Sequence, residues 1–571
     1  SMVQITMGRS TKLHDAYVVE LLESSEYKVK PITAVNGNMT FLPHASYKLL
    51  RSLADRSVCA IGDLLKVAVP SRAVRSETAF EAAAWATPVA RTSGTRSTEL
   101  TFDWVGQSVI RVEKALANGE SVMVITPDYR DQAAFVAAIE TKQIPFIDYA
   151  STQKSSARYQ AFLTAQTEGA HLLVGNRATV YAPVQNLGLV IIKDEGDDSL
   201  TEQTAPYLSV REVALLRQQL ENFDLHFVSA SRSTDIQRLV ELGYVIDESA
   251  KQPLPKVSFD PDNSRNSALA YVAIREGLAS GAVLVQVASR GVAKSCYCRD
   301  CGERAKCKNC AGPLWIDSTS IPRCRWCNLQ NLDFACTECR STNLRQGYGG
   351  STRTAAELGK SFPGAAVVES SLDKPVVQIK PGKRLVIATP GAEPTVSGGY
   401  AAVVILDASS SLHHDSLRST ERAVARWAEA ISLLAPSGRA VIAGVPQTLG
   451  QKLSLWQLAE IASTELAERR ELAFPPHVRM ASVQGDIETI RKVLQEVQRK
   501  MPQIQVLGPI SLNAGAKTEN RFVIKFAYVD GLELAIELRA AIAAASAGPK
   551  TSASGRNERA IRVRMDDAEV I

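Results

Sequence analysis

Four Cys-x-x-Cys pairs between Cys298 and Cys339 are the residues best suited to chemistry in this chain. Each pair can aim two sulfur atoms at one point, and two pairs supply the four thiolates of a tetrahedral zinc site. The four pairs therefore predict two bound Zn²⁺ ions. Because four thiolates leave no open coordination position, we expect these ions to stabilise a segment that has few large apolar side chains, and not to catalyse.

Two alternatives exist for these cysteines. An iron–sulfur cluster also uses four thiolates, and the structural alternative is a set of unligated thiols. Cys296 is out of register with the pairs, so we expect it to be a spare thiol. Cys59 stands alone, and we expect it to be a buried core thiol. Paired cysteines clustered in a chain of 571 residues favour a reducing compartment over a disulfide framework.

We also find no apolar run of membrane-spanning length and no secretory signal, and therefore expect a cytoplasmic protein.

The cysteine segment is also basic and carries two tryptophans. Cationic side chains interleaved with aromatic rings suit phosphates and unstacked bases, whereas the alternative is a solvated surface with packed tryptophans. The net charge of +5 is too mild to decide between them. Our candidates for DNA contacts in this segment are Arg299, Arg304, Lys306, Lys308, Arg323, Arg325 and Trp326.

Apolar runs alternate with helical stretches between residues 100 and 247, which predicts an α/β fold with a parallel sheet covered by helices on both faces. The strands expected in this first sheet are Ser121–Thr126, His171–Gly175, Leu187–Lys193 and Leu225–Ala230. A two-proline connector then leads to a second sheet, which the cysteine segment interrupts. Its expected strands are Gly281–Val287, Ala365–Val368, Arg384–Thr389, Ala401–Asp407 and Arg439–Gly444.

Smaller units are expected at both ends of the chain. Residues 1–70 combine a strand at Ala16–Leu22 with helices at Pro43–Asp55 and Ile61–Val69, and residues 71–98 could be a linker. Residues 478–571 have the pattern β-α-β-β-α-β.

One stretch is specific enough to indicate a family. Residues 175–198 read GNRATVYAPVQNLGLVIIKDEGDD. This stretch resembles the superfamily-2 helicase core of the primosomal protein N′ (PriA) family of replication-restart helicases, which has G-x-R-S/A-x-x-F-x-P-x-x-N-L-G, a strand, and then D-E-E-H-D. Pro475-Pro476 after Glu468–Leu472, and the strand Val506–Ile510, also match motifs of that family. The matches extend over nearly the whole chain.

The resemblance implies two RecA-like helicase lobes with an inserted double zinc-binding module. The implied domains are an N-terminal DNA-binding domain at 1–75 with a linker to 98, lobe 1 at 99–250, lobe 2 at 251–295 and 341–455, the zinc insertion at 296–340 and a C-terminal α+β domain at 456–571. It also implies a nested pairing of the cysteines. One zinc would bind Cys298, Cys301, Cys336 and Cys339, and the other Cys307, Cys310, Cys324 and Cys327.

The N-terminal domain of this family cups the 3′ end of a nascent DNA strand with a Phe-Asp strand and a V-P-F-G turn. Here Ile5–Gly8 stands at the place of the turn, and the Phe-Asp strand has no counterpart. Either a trimmed N-terminus or a different lineage would account for this. Gly8 is our candidate DNA contact in this domain.

An active member of the family needs an ATP site, and this chain departs from it. No G-x-x-x-x-G-K-[ST] loop, which would bind the phosphates, is present in the sequence. Thr98–Gly106 stands in its place, and Gly359–Ser361 lacks the required upstream glycine. Leu433 and Pro436 fall where motif VI arginines would stabilise charge on the transferring phosphoryl group.

Two further motifs of the ATP site are altered. Ser229–Arg232 replaces S-A-T-P, and the box Asp194–Asp198 lacks its histidine and one glutamate. Asp194 and Glu195 remain as a relic of the Walker B motif. These carboxylates could hold Mg²⁺, but we favour a solvated strand-end relic and expect neither ATP nor Mg²⁺ to bind.

Three functions follow from these observations. The first is a DNA-binding replication-restart protein without helicase activity, which recognises stalled or branched forks and recruits factors for reloading the replicative helicase. The second is an active ATP-dependent 3′-5′ DNA helicase, and the third is a zinc-ribbon module for RNA or protein. Under the first, we expect a monomer near the bacterial nucleoid. Its partners would be single-stranded-DNA-binding protein and primosome or helicase-loading proteins.

Overall fold

In the computed structural model, the described residues are 2–7, 10–25, 29–36, 42–77, 80, 91–150, 153–251, 253–261, 267–287, 296–301, 303–309, 312, 314–316, 321–324, 329–346, 351–412, 416–514, 517–546 and 561–567. They divide into two compact units. The first contains residues 1–251 and 462–571, and the second contains residues 252–461. No helix among these residues combines the length and apolarity that crossing a bilayer requires.

The chain begins with a small antiparallel sheet followed by helices. The strands, in the order β2-β1-β3, and the helices are β1 (Met2–Thr6), β2 (Leu13–Tyr17), β3 (Ala34–Asn36), α1 (His44–Ser57), α2 (Ile61–Ala68) and α3 (Val74–Glu77). Helix α1 buries Leu49, Leu50 and Leu53, whose spacing puts them on one face. It ends at Val58, which has a left-handed backbone.

The strand predicted at Ala16–Leu22 is wrong in its position. Pairing with β1 places the strand at Leu13–Tyr17, and Leu21 is 89% exposed. Apolar side chains alone were a poor guide here because strand position is decided by the partner strand.

A seven-stranded parallel sheet follows, in the order β10-β4-β9-β8-β5-β7-β6. Helices alternate with its strands, as predicted. The elements are β4 (Arg96–Leu100), α4 (Trp104–Ala117), β5 (Ser121–Ile125), α5 (Tyr129–Thr141), β6 (Ile147–Asp148), α6 (Ser155–Thr164), β7 (Leu172–Gly175), β8 (Leu187–Lys193), α7 (Val210–Glu221), β9 (Asp224–Ser229), α8 (Thr234–Glu241) and β10 (Ile246–Asp247), with 3-10 helices at Arg177–Tyr181 and Asp198–Leu200.

Strand β4 begins inside the segment that was predicted as a linker. Its sequence, RSTEL, is mostly polar, yet Ser97, Thr98 and Glu99 are buried. A buried partner on the next strand explains this, because the Ser97 hydroxyl lies 2.9 Å from Nδ1 of His226. A polar strand of this kind gives no apolar pattern for sequence reasoning to find.

The second unit contains a six-stranded parallel sheet in the order β11-β22-β21-β12-β19-β17. All five strands predicted for it are present, and β11 at its edge was not predicted. The elements are β11 (Lys256–Asp260), α9 (Ala268–Ser280), β12 (Val283–Gln286), β13 (Cys296–Cys298), β14 (Leu314–Ile316), β15 (Pro322–Cys324), β16 (Leu344–Gln346), α10 (Ser351–Ser361), β17 (Ala366–Ser370), β18 (Gln378–Ile379), β19 (Arg384–Ala388), β20 (Thr395–Val396), β21 (Tyr400–Ile405), α11 (Ala408–Leu412), α12 (Ser419–Ser432), β22 (Leu434–Ala443) and α13 (Gln447–Ser454).

The end of the chain returns to the first unit with the predicted β-α-β-β-α-β pattern. The elements are α14 (Leu458–Glu471), β23 (Arg479–Gly485), α15 (Ile487–Lys500), β24 (Gln505–Ala514), β25 (Lys517–Phe526), a 3-10 helix at Tyr528–Asp530, α16 (Gly531–Ser546) and β26 (Arg562–Arg564). The sheet order is β24-β25-β23-β26, and its core includes Val483, Val493 and Ile524. The predicted fold class, α/β with two parallel sheets, a cysteine insertion and smaller end domains, is confirmed.

Candidate functional site

Four cysteine sulfur atoms converge in the insertion between β12 and α10. Those of Cys298, Cys301, Cys336 and Cys339 all lie within 4.8 Å of one another. Two of the separations, Cys298 to Cys339 and Cys301 to Cys336, are 3.5 Å. Sulfurs around a tetrahedral zinc at the usual bond length would be about 3.8 Å apart, so these four residues fit such a metal.

The backbone brings the ends of the insertion together and also affects the acidity of one of these sulfurs. Strand β13 pairs with β16 so that Cys298 lies opposite Leu344, which closes the ends of the insertion on each other. Backbone N–H groups of Cys301 and Asp300 lower the pKa of Cys298 to about 6. The lowered pKa of this sulfur favours its thiolate, the form that binds a metal, whereas hydrogen bonds among the same four sulfurs help to raise the pKa of Cys301 and Cys339.

The same type of backbone hydrogen bond occurs at each of the four Cys-x-x-Cys pairs. In each pair the N–H of the first cysteine donates to the carbonyl five residues later. The four bonds are Cys298 to Glu303 at 2.8 Å, Cys307 to Gly312 at 2.7 Å, Cys324 to Leu329 at 3.0 Å and Cys336 to Ser341 at 2.9 Å. Cys307 and Cys324 of the second predicted set therefore make the same backbone hydrogen bond as Cys298 and Cys336 of the first.

The second set is described only in part. Cys307 and Cys324 are both buried, and they lie in one small core with Leu314 and Phe334. Cys310 and Cys327 lie outside the described residues, so a second metal site stays a prediction. Cys296, the expected spare thiol, is fully buried in the same core.

The residues predicted to contact DNA have different surroundings. Arg299, Lys306 and Lys308 are exposed, and Arg304 and Arg323 are half-buried. Lys308 pairs with Asp333 at 3.0 Å, an exposed ion pair that contributes little to stability. Gly8, Arg325 and Trp326 lie outside the described residues. The DNA contacts stay predictions.

A second group of charged residues lies at the carboxyl ends of the strands in the first unit. We call it the strand-end site, and it consists of the loop Thr101–Asp103, Asp194 and Glu195, together with the residues of the ion pairs around them, Lys193, Asp131 and Arg211. Strand β4 leads into this loop, and β8 leads into Asp194. In the sheet order β4-β9-β8, only β9 lies between these two strands. Ligands of open α/β sheets bind at this edge, and a phosphate-binding loop would lie between β4 and α4.

Asp103 occupies the N-terminus of α4. Its carboxylate accepts the backbone N–H of Gly106 at 3.0 Å, and its own N–H donates to the Thr101 hydroxyl at 3.1 Å. A Cβ atom at position 106 would lie 2.3 Å from Asp103 Oδ2, so a larger residue there would displace the capping carboxylate. The helix end that could bind a phosphate anion is thus capped by an anion of the chain itself.

Asp194 is paired with the residue before it. The ammonium of Lys193, a side chain only 1% exposed, donates to the Asp194 carboxylate and lies 3.9 Å from Asp131 Oδ1. It also lies 5.6 Å from the ring centroid of Trp104, which begins α4. Burial raises the pKa of Asp131 to about 7, with Lys193 opposing the shift.

Glu195 is buried and paired as well. Arg211 Nη1 donates to Glu195 at 2.7 Å, and Arg211 Nη2 lies 3.0 Å from Asp235 at the start of α8. Burial raises the pKa of Glu195 although Arg211 opposes it. The expectation of a solvated carboxylate is therefore wrong for Glu195, whereas Asp194 is partly exposed. The sequence showed no partner for Glu195 because Arg211 lies 16 residues away.

Other motif positions are also explained by local structure. Arg232 of the third motif is buried and pairs with Asp247 at 2.9 Å. Gly359–Ser361 lies within α10, whose backbone N–H groups serve the helix, in keeping with its rejection as a phosphate loop. Leu433 follows α12, and Pro436 lies in β22.

Sequence reasoning missed Lys193, Asp131 and Arg211 as members of the strand-end site. Lys193 could have been found, because a lysine at the end of the run Leu187–Ile192 would be buried by the predicted strand and would then need a carboxylate partner.

Comparisons with known proteins agree at both ends of the chain and along its length. A family model described as the primosomal protein N C-terminal domain matches residues 470–568, and one described as a 3′ DNA-binding domain matches residues 1–70. The "Probable replication restart protein PriA" of Mycobacterium bovis is 31% identical, over 95% of this chain and 93% of that protein. The protein of the same name from Mycobacterium leprae is 33% identical, over 77% of this chain and 73% of that protein.

Solved structures add little to these comparisons. A structure of RecG bound to a three-way DNA junction aligns with 74% of this chain and 46% of that chain, at 10% identity and a TM-score of 0.36. A score of this size carries no argument about function.

Proposed function

Because this chain belongs to the PriA family of replication restart proteins, we propose that it binds stalled or branched replication forks and recruits the factors that reload the replicative helicase, without unwinding DNA itself. The match of residues 1–70 to a 3′ DNA-binding domain supports the DNA-binding part. The pairing of charges in the strand-end site supports the absence of a motor.

That pairing is the observation that carries the proposal. Phosphoryl transfer from ATP needs a phosphate cradle, a cation at the phosphates and carboxylates free to hold Mg²⁺. Here Asp103 caps the helix that would cradle a phosphate, Lys193 pairs with Asp194, and Arg211 pairs with Glu195. Each group that could serve the nucleotide is engaged within the chain.

The first test compares binding to a labelled three-way fork and to a linear duplex of equal length and charge. Salt is held constant, because phosphate contacts make affinity strongly salt-dependent. We expect a clear preference for the fork that does not change when ATP and Mg²⁺ are added. Equal, weak binding to both DNAs would reject fork recognition.

An active 3′-5′ helicase is the main alternative, and ATP turnover separates the two. We expect no DNA-stimulated ATP hydrolysis above that of an Asp194→Ala variant. Turnover that the variant abolishes would establish the motor and reject our proposal. A zinc-ribbon module for RNA is the third candidate, and stronger binding to RNA than to the fork would favour it.

We further propose that the converging cysteines bind zinc and that a second zinc is held by Cys307, Cys310, Cys324 and Cys327. Support comes from the sulfur separations of the first set and from the backbone hydrogen bond that the first cysteine of each pair makes. Metal analysis should find two zinc ions per chain, and one in a Cys301→Ser, Cys339→Ser variant. Finding iron, or one metal ion in the unchanged protein, would contradict this.

We also infer the setting of this function from the family. The protein would act as a monomer in the bacterial cytoplasm, at the nucleoid, with single-stranded-DNA-binding protein and primosome or helicase-loading proteins as partners. Light scattering of the free protein tests the monomer, and titration with purified single-stranded-DNA-binding protein tests that partner.

A further inference from the structure

Lys193 has an unusual position for a lysine, because it ends a strand in the middle of the first sheet. All seven residues of β8 are buried, and Lys193 is 1% exposed. Removing an ammonium from water costs several kcal/mol unless it is paired, so such a residue needs anionic partners. Two are present, since Asp194 accepts from the ammonium and Asp131 lies 3.9 Å from it.

The two carboxylates come from different elements. Asp194 follows β8, whereas Asp131 lies in the first turn of α5, where Asp128 caps the helix. The Lys193 ammonium therefore joins the sheet to a helix that covers it. The ring of Trp104 at 5.6 Å adds the start of α4 to the same contact.

Asp194 is also the carboxylate that the sequence identifies as a possible Mg²⁺ ligand. Mg²⁺ in nucleotide sites is commonly held by one or two carboxylates together with phosphate oxygens and water. A resident ammonium between Asp194 and Asp131 would offset part of the negative charge that a bound metal ion would otherwise offset.

We propose that Lys193 is the resident cation of the strand-end site, and that its ammonium takes the place of a divalent metal ion between Asp131 and Asp194. The two carboxylates then share one positive charge, and the site is ordered without nucleotide or metal. This inference deepens the proposed function and rests on it, because it identifies the residue that keeps Mg²⁺ out of the strand-end site of a protein that does not unwind DNA.

The test exchanges Lys193 for methionine, which keeps an unbranched side chain and removes the charge. Two carboxylates then face a position without a cation, and carboxylate oxygens bind Mg²⁺ and Mn²⁺ well. We expect Lys193→Met to bind one Mn²⁺ ion that the unchanged chain does not bind well. Its affinity for this ion should be at least about tenfold higher than any Mn²⁺ affinity of the unchanged chain outside the cysteine sites. Mn²⁺ should also raise the thermal midpoint of this variant alone.

Two variants serve as controls in the full-length, zinc-loaded protein. Lys142→Met removes a lysine from an exposed pair with Glu113 at 2.7 Å and should leave Mn²⁺ binding unchanged. Lys193→Met combined with Asp194→Asn removes both charges of the buried pair. It should lose the added Mn²⁺ binding and recover much of the stability that Lys193→Met alone loses.

Free Mn²⁺ is measured by electron paramagnetic resonance without DNA, so the result is independent of the fork assay. Saturable Mn²⁺ binding by the unchanged chain that Asp194→Asn abolishes would overturn the inference, even if fork preference holds. No gain of Mn²⁺ binding in folded Lys193→Met would also overturn it. If Lys193→Met folds only when Mn²⁺ is present, the inference is supported, and if it folds neither with nor without Mn²⁺, the inference is overturned.

Discussion

Replacing Arg211 with methionine should weaken the first unit more than any exposed charge change. The guanidinium is 7% exposed and bridges Glu195, itself 8% exposed, to Asp235. Methionine fills much of the volume of the arginine stem, so the loss is mainly electrostatic. It leaves two carboxylates without their shared cation.

The magnitude follows from the burial of the pair. Removing one partner of a buried ion pair typically costs about 3–5 kcal/mol, because the remaining charge stays out of water. Burial already raises the pKa of Glu195 with Arg211 present, which indicates that the carboxylate is poorly solvated. We therefore expect Arg211→Met to cost about 3–5 kcal/mol, a large part of the total stability of a typical domain.

The assay is native-state hydrogen exchange, which reports the free energy of local opening in each element and does not need two-state unfolding of the whole chain. Amides of β8 and α8 should exchange faster in Arg211→Met, since Arg211 connects the ends of these elements. A matched control is Arg491→Met, which breaks an exposed pair with Glu488 at 3.3 Å. That change should cost less than about 1 kcal/mol.

A charge-neutral variant separates electrostatics from packing. Adding Glu195→Gln and Asp235→Asn to Arg211→Met removes all three charges and should recover more than half of the lost stability. Arg211→Met no more destabilising than Arg491→Met would refute the reasoning. A triple variant no more stable than the single one would show that the loss came from packing.

Three further results are expected. Verified zinc removal should expose Cys298–Cys339 to protease while residues 1–70 stay protected, because the binding energy of a structural zinc is local folding energy. Arg469→Met should speed hydrogen exchange in α8 and lower stability by about 1.5–3 kcal/mol, because the buried Arg469 donates to the Thr234 hydroxyl at 2.6 Å. Arg470→Met, at an exposed position, is its control. Lowering the pH through the range of an ordinary histidine should destabilise the first unit, and His226→Gln should reduce that dependence in urea titrations. Burial lowers the folded pKa of His226, so the unfolded chain binds the extra proton.

The two parallel sheets show where sequence patterns suffice. Continuous apolar runs such as Leu187–Ile192 predict buried parallel strands, and all five such runs expected in the second sheet are strands. The polar β4 was missed, and Ala16–Leu22 was misplaced. In both cases the deciding interaction was with a residue distant in sequence, His226 for β4 and the strand Met2–Thr6 for the N-terminal sheet.

The sequence by itself indicated the family, four Cys-x-x-Cys pairs suited to a metal and the lack of a G-x-x-x-x-G-K-[ST] motif, because each depends on residue identity at short spacing. The tertiary structure shows that the four cysteines grouped by the family resemblance meet, and it alone decided how the strand-end charges are paired. Cys298 and Cys339 are 41 positions apart, and Glu195 and Arg211 are 16 apart. Separations of that size are bridged by the packing of whole strands and helices, and no local pattern in the sequence encodes which partners they bring together.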